Sequence, residues 1–220
     1  MQGKQLNQYS PIELLKDSIQ YKLGHVPSAL SALPITMKIA DVLSKTDIVL
    51  GKSYGVQAWF FNEKVKENFI KSKEKRKILT VQDFKKTKLS VVYCQQQLGL
   101  AAGYSVGHAI SSGNETVCFL SDGDALISSS MEALKFFSRI QKDVMFIIDY
   151  NKRQLFGKTD LAETLICNQI PFTVIDPCDI VKFQRGIFLC RSVKGLGISV
   201  MEKEPGYWHY KIPTEDILLT

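Results

Sequence analysis

No Cys-x-x-Cys spacing occurs among the five cysteines, Cys94, Cys118, Cys167, Cys178 and Cys190, and their odd number argues against a disulfide framework. No leader-like segment is present, and no run of about 18 apolar residues. The chain therefore reads as a soluble, reduced, cytoplasmic protein without a membrane partner. No internal repeat or low-complexity tract appears in the 220 residues, a length that carries a full core as one domain over residues 1–220. No base-reading module accompanies the net charge of +6, so nucleic acid is not an expected partner. The densest basic stretch, residues 64–77 followed by Lys85, Lys86 and Lys88, is interleaved with glutamates at helical spacing and reads as a solvated helix face. Such a surface still attracts phosphorylated or nucleotide-linked sugars at long range.

Two apolar runs, Thr116 to Leu120 and Val144 to Ile148, end at Ser121-Asp122-Gly123-Asp124 and at Asp149-Tyr150-Asn151. Between them, residues 128–141 have the pattern of a helix, which makes the unit strand, helix, parallel strand. A right-handed crossover brings both polar clusters to the carboxyl ends of neighbouring strands, where open α/β sheets bind ligands. Asp122 and Asn151, 29 residues apart, then offer one carboxylate and one amide carbonyl. That donor set suits Mg2+, which takes one or two protein carboxylates when phosphate oxygens fill other positions, so a diphosphate is the implied ligand.

Elsewhere, Ser10-Pro11-Ile12-Glu13 has the form of a capping box opening a first helix, with Ile12, Leu14, Leu15, Ile19 and Leu23 as its apolar face. A second helix is expected from Pro27-Ser28 to about Ser44, with Pro34 near its first turns or at a kink. Asp47 to Leu50 reads as a short strand ending at Gly51. The apolar segment Leu98 to Ile110 is rich in glycine and alanine and suits a buried helix at a subunit contact. Phe172 to Ile175 reads as a strand that ends in a turn at Asp176 to Asp179.

The stretch from Asp122-Gly123 to Asn151 resembles the thiamine diphosphate motif of the transketolase family, which runs from Gly-Asp-Gly to an asparagine. Gly24-His25 through Ser31 is similar to that family's Gly-His segment, and Val193 through Glu202, followed by Trp208-His209, to its Lys-Gly-x-Gly strand and Trp-His. The resemblance covers nearly the whole chain. It implies an α/β fold with a mostly parallel sheet and helices on both faces, with thiamine diphosphate and Mg2+ as cofactors. Asp122, Asn151 and the main-chain carbonyl of Arg153 are then the implied metal ligands, and Gly123 lets backbone approach the diphosphate. His25, over the cofactor's reactive carbon, and His209, at the diphosphate or the substrate, are the implied catalytic residues. Glu132 matches a helix glutamate near the family's subunit contact, and a solvated carboxylate is the alternative. His108 has no counterpart and reads as structural; the Arg153 to Lys158 region carries a weak phosphate-contact signal.

Several positions depart from the family pattern. Ser121 replaces the first glycine, Ile127-Ser128 stands for Glu-Gly, and Gly51-Lys52-Ser53-Tyr54 occupies the place of Ser-Lys-Gly-His. Cys94 to Gln97 replaces a glycine-rich segment, and only residues 180–186 precede the strand at Ile187, where the family has a helix. The chain ends at Thr220, where the family's full-length members continue into a pyrimidine-binding domain. The resemblance thus implies a diphosphate-binding subunit of a split transferase, completed by a second chain that carries the pyrimidine domain and the activating glutamate, in an α2β2 assembly. It would transfer a two-carbon ketol or acyl unit to a sugar-type acceptor. A thiamine-dependent decarboxylase and carboligase of the deoxyxylulose phosphate synthase type is a second expectation; a non-catalytic scaffold or regulatory subunit is a third.

Overall fold

The structure, a computed structural model, describes residues 9–72, 78–94, 97–153 and 159–219. Part of the basic stretch (residues 73–77), Gln95-Gln96 and residues 154–158 of the Arg153 to Lys158 region lie outside the described residues. Six strands, β1 (Asp47–Leu50), β2 (Ser90–Cys94), β3 (Thr116–Ser121), β4 (Val144–Tyr150), β5 (Thr173–Ile175) and β6 (Gly186–Arg191), form one sheet in the order β2-β1-β3-β4-β6-β5. Every pairing is parallel. The helices are α1 (Pro11–Gln20), α2 (Val26–Val42), α3 (Glu63–Lys71), α4 (Ala101–Ser112), α5 (Asp122–Ala125), α6 (Ser128–Phe137), α7 (Leu161–Cys167) and α8 (Ser199–Lys203).

Alternation along the strands divides the core in two. Ile48, Leu50, Val117, Phe119, Met145 and Ile147 pack with α1 and α2 on one face. Val49, Cys118, Leu120, Phe146 and Ile148 pack with α4, α6 and α7 on the other. A parallel sheet needs both faces covered, and the unbroken apolar runs of β3 and β4 follow from that. Each fully buried Leu, Ile or Phe contributes roughly 1.5–3 kcal/mol relative to exposure. The expected fold class, a parallel sheet with helices on both faces, is the one observed.

Individual elements depart from expectation for local reasons. The capping box forms at α1, where Ser10 and Glu13 bond reciprocally, but Ile12 faces solvent and Leu23 lies past the helix end. Helix α2 starts one residue earlier than expected, ends at Val42, and runs through Pro34 in its interior. Helix α6 stops at Phe137 rather than Gln141. The Arg185 guanidinium stacks 4.7 Å from the Phe137 ring and donates to the carbonyls of Phe137, Ile140 and Lys142 at 3.4, 2.5 and 3.1 Å; the first is the acceptor that the Gln141 N–H would have taken in a longer helix. Residues 193–198 hold a turn at 194–197, not a strand, and lead into α8. Gly195 and Gly197 have φ of +89° and +81°, outside the strand region, and Gly195 N–H donates to the Pro27 carbonyl at 3.0 Å. Helix α4 buries Ala102, Val106 and Ala109 but leaves Gly103, Gly107, Tyr104 and Ile110 exposed, so only one of its faces is covered within the chain.

The chain runs from β1 outward to β2, then returns to place β3 on the other side of β1. Loops leaving β1 and β3 therefore diverge, and a crevice opens at the carboxyl ends of the strands between them.

Candidate functional site

That crevice encloses about 960 Å³. Its polar end is lined by Lys52 after β1, Ser121, Asp122 and Gly123 at the end of β3, Asn151 after β4, and Lys194 after β6. At its other end His25, Tyr54, His209 and Tyr210 bring four rings together, and Leu98 and Ile127 add apolar wall. Five residues singled out in the sequence, His25, Asp122, Gly123, Asn151 and His209, thus share one cavity. Arg153 does not line it. Its side chain is exposed, and its carbonyl accepts a hydrogen bond from Lys194 Nζ at 2.8 Å.

Asp122 opens the single turn of α5, capped by Ser121 Oγ, which accepts from the Asp124 N–H at 3.1 Å. It is only 4% exposed. Oδ1 accepts from the Gly123 N–H at 2.8 Å, while Oδ2 is buried without a hydrogen-bond partner. Burial, and then the Asp149 carboxylate, push the Asp122 pKa up; Lys52, the Gly123 N–H and Lys194 oppose that rise. A buried carboxylate oxygen left in this state costs stability unless something positive meets it. Asn151, on the adjacent strand end, forms an Asx turn in which Oδ1 accepts from the Arg153 N–H at 3.1 Å. No cluster of three His, Cys, Asp or Glu capable of holding a metal occurs among the described residues. A hard cation sharing its sphere with phosphate oxygens needs no such cluster, and the orphaned Asp122 oxygen beside an amide carbonyl fits it. The Arg153 carbonyl fits only if Lys194 gives it up.

Beneath this end lies a network that sequence reasoning missed. Asp149, fully buried at the end of β4, is paired with Lys52 and accepts from Ser31 Oγ at 2.8 Å, from Ser192 Oγ, and from Asn151 Nδ2 at 3.4 Å. Burial raises the Asp149 pKa, and the Lys52 ammonium with the two hydroxyls more than reverses this, holding it below the ordinary aspartate range. The one available signal was position: Asp149 sits two residues before Asn151, and Lys52 falls in the segment matched to Ser-Lys-Gly-His.

At the ring end His25 precedes α2 with a left-handed φ of 57°, unusual for a non-glycine and fixed by its backbone: its N–H donates to the His209 carbonyl at 3.0 Å, and its carbonyl accepts from Ala29. The rings of His209, Tyr54 and Tyr210 lie 4.7, 4.8 and 5.3 Å from that of His25. Burial, then Lys194, His25 and Lys52, lower the His209 pKa to about 4, so its imidazole is neutral at physiological pH. Tyr54 thus takes up space beside His25, and Tyr210, which the sequence did not single out, joins it.

The remaining candidates fall outside the crevice. Glu132 is a solvent-exposed helix carboxylate. His108 Nε2 lies 2.8 Å from Asp47 at the opposite, amino end of the strands, a structural contact. Asp124 is fully buried; its Oδ1 accepts from the Gly99 N–H at 2.6 Å and thereby ties the start of α4 to α5. Gly51 is required there, because a Cβ would stand 2.5 Å from Asp124 Oδ2.

No protein-family model matches the sequence, and no curated protein matches it. Solved structures do match the fold. A transketolase from Campylobacter jejuni subsp. jejuni aligns over 97% of this chain and 41% of its own length, at 14% identity and a TM-score of 0.72. A mutant transketolase from Pichia stipitis aligns over 88% of this chain and 36% of its own, at 16% identity and a TM-score of 0.58. The chain therefore spans about two fifths of the length of the solved structures it matches, and its six-stranded parallel sheet with flanking helices is a transketolase-like fold.

Proposed function

We propose that this chain binds the diphosphate of thiamine diphosphate together with Mg2+ and serves as the diphosphate-binding subunit of a transketolase-like transferase. The observation that carries the proposal is the orphaned, buried oxygen of Asp122, a residue that lines with Asn151 the crevice at the switch point of a transketolase-like sheet. Asp122 and Asn151 would hold the cation, and Gly123, with no side chain, would let the diphosphate approach the backbone. When bound, the cofactor supplies an ylid that adds to a carbonyl carbon and an electron sink for the bond broken next. The chain's own contribution is to anchor, to orient and to keep water out. His25 and His209 form the wall where a substrate carbonyl would lie; His209, neutral at physiological pH, can accept or share a proton there without a change of charge.

A second chain carrying the pyrimidine-binding domain and its glutamate would close the open side. The exposed face of α4, with Gly103 and Gly107 free of bulk, is the surface we assign to that contact. The acceptor would be a sugar-type substrate. One observation favours a non-catalytic homologue instead: the carbonyl of Arg153 is already held by Lys194.

The discriminating experiment is a titration of thiamine diphosphate, with and without Mg2+, into this chain co-purified with its candidate partner, alongside Asp122→Ala and Asn151→Ala. Metal-dependent binding that either substitution abolishes is expected. A well-folded complex that binds no cofactor would leave the scaffold role in its place.

A further inference from the structure

Four charged side chains interact at the polar end of the crevice: Asp122, Asp149, Lys52 and Lys194. Their formal charges cancel. The two cations are held differently. Lys52 is committed to Asp149 by direct contact. Lys194 gives its hydrogen bond to a neutral group, the Arg153 carbonyl, and meets Asp122 and Asp149 through space. The Arg153 N–H closes the Asx turn of Asn151, and Asp122, one of whose oxygens no donor satisfies, lines the same crevice.

We propose, on the reading that this end of the crevice takes a divalent cation with a diphosphate, that Lys194 is a positioning residue that holds the cation's place. Its ammonium occupies the carbonyl and balances the charge of Asp122 until the cation displaces it. A bare divalent cation entering a neutral, partly buried set of four charges leaves it strongly positive, with two ammonium groups nearby, and is opposed by Coulomb repulsion. An anion that arrives with the cation reverses the sign. Cation and diphosphate therefore bind best together, and the crevice takes the cation alone only weakly. If Lys194 were instead a mere brace for the Asn151–Arg153 loop, its loss would slacken that loop and weaken cation binding. The two roles give opposite signs.

Mn2+ is the probe, followed by loss of the free-ion electron paramagnetic resonance signal on titration of the full chain without added anion. Lys194→Met is expected to bind Mn2+ about ten-fold more tightly than the parent chain, because one unit of repelling charge is gone. Lys194→Arg, which keeps the charge, should match the parent. Asp122→Asn should remove the site in every background, and inorganic pyrophosphate should narrow the gap between Lys194→Met and the parent. Lys194→Gln, with melting curves for all variants, guards against a folding defect. Mn2+ affinity unchanged or reduced in both neutral variants would overturn the proposal; so would a tighter site indifferent to Asp122→Asn, or no Mn2+ bound by any variant. Failure of thiamine diphosphate to bind the complex would sink the functional reading while leaving this comparison intact. Normal cofactor binding with unchanged Mn2+ affinity in Lys194→Met would sink only the role of Lys194.

Discussion

The two ends of the sheet each hold a carboxylate against a base, and they do so under opposite conditions. At the amino ends, Asp47 opens β1 and receives Ser90 Oγ at 2.8 Å and Asn114 Nδ2 at 2.9 Å, with His108 Nε2 at 2.8 Å. Burial would raise its pKa, but these partners more than compensate and hold it below the ordinary range. Both of its oxygens are used. At the carboxyl ends, Asp149 is equally well supplied, yet Asp122 beside it keeps one oxygen with no donor at all. The amino end is a finished joint, and the carboxyl end is finished only underneath. Asp124 shares that condition, with an Oδ2 that has no partner, but only Asp122 lines the crevice, which is why the proposed ligand site is placed there.

Substitutions can sharpen that contrast. The largest effect belongs to Asp149→Ala, which strands the Lys52 ammonium among buried groups; a loss of about 3–5 kcal/mol in urea denaturation is expected. Replacing the pair together, as Lys52→Met with Asp149→Leu, should recover much of it, and a double variant as unstable as the single one would mean that Ser31 and Ser192 dominate. Asp122→Asn should have the opposite sign at neutral pH, a gain in stability, since burial disfavours the charged form of this group. Its raised pKa means that the folded chain binds a proton there more readily than the unfolded chain does. Stability is therefore lost as pH rises from about 4 through the raised value, and the gain from Asp122→Asn should disappear below about pH 4. A substitution that is destabilising at pH 7 would erase the distinction between the two ends.

Asp47→Asn, at the finished end, is expected to cost about 1 kcal/mol, the net worth of one ordinary hydrogen bond. Because the folded-state pKa of Asp47 is lowered, its contribution is present above the unfolded value of about 3.9 and fades as pH falls through the folded one. The smallest effect at neutral pH is that of His209→Gln. The imidazole titrates near 4 when folded and at 6.5 in its ordinary state, so it removes stability as pH falls from 6.5 toward 4. The variant should melt as the parent does at pH 8 and resist acid better at pH 5; equal acid limbs would place His209 in contact with solvent.

The sequence made much of this legible where the signal was local. Thr116 to Leu120 and Val144 to Ile148 could be recognised as strands because both of their faces are buried, and polar residues at their ends line the polar end of the crevice. The Ser10 capping box spans four residues and formed as expected. Contacts between distant segments were not legible. Nothing in the spacing of Lys52 and Asp149, 97 residues apart, signals that they meet. Lys194 was visible as part of a glycine motif, but its choice of the Arg153 carbonyl depends on the turn that two left-handed glycines impose. At the end of α6 the Phe137 carbonyl accepts from Arg185, a residue 48 positions further on.

The all-parallel pairing also fixes when the crevice can exist. No two neighbouring strands are joined by a hairpin, so each pairing waits for a crossover to be made, and such topologies are slow to form. The Asp149 joint draws Ser31, Lys52 and Ser192 from across most of the chain. During synthesis, at about 5–20 residues per second, a nascent chain can build β1 to β4 and still lack the last hydroxyl of that joint. The Asp149 joint should therefore close late, only after Ser192 has left the ribosome, and the polar end of the crevice takes its final form near the end of synthesis.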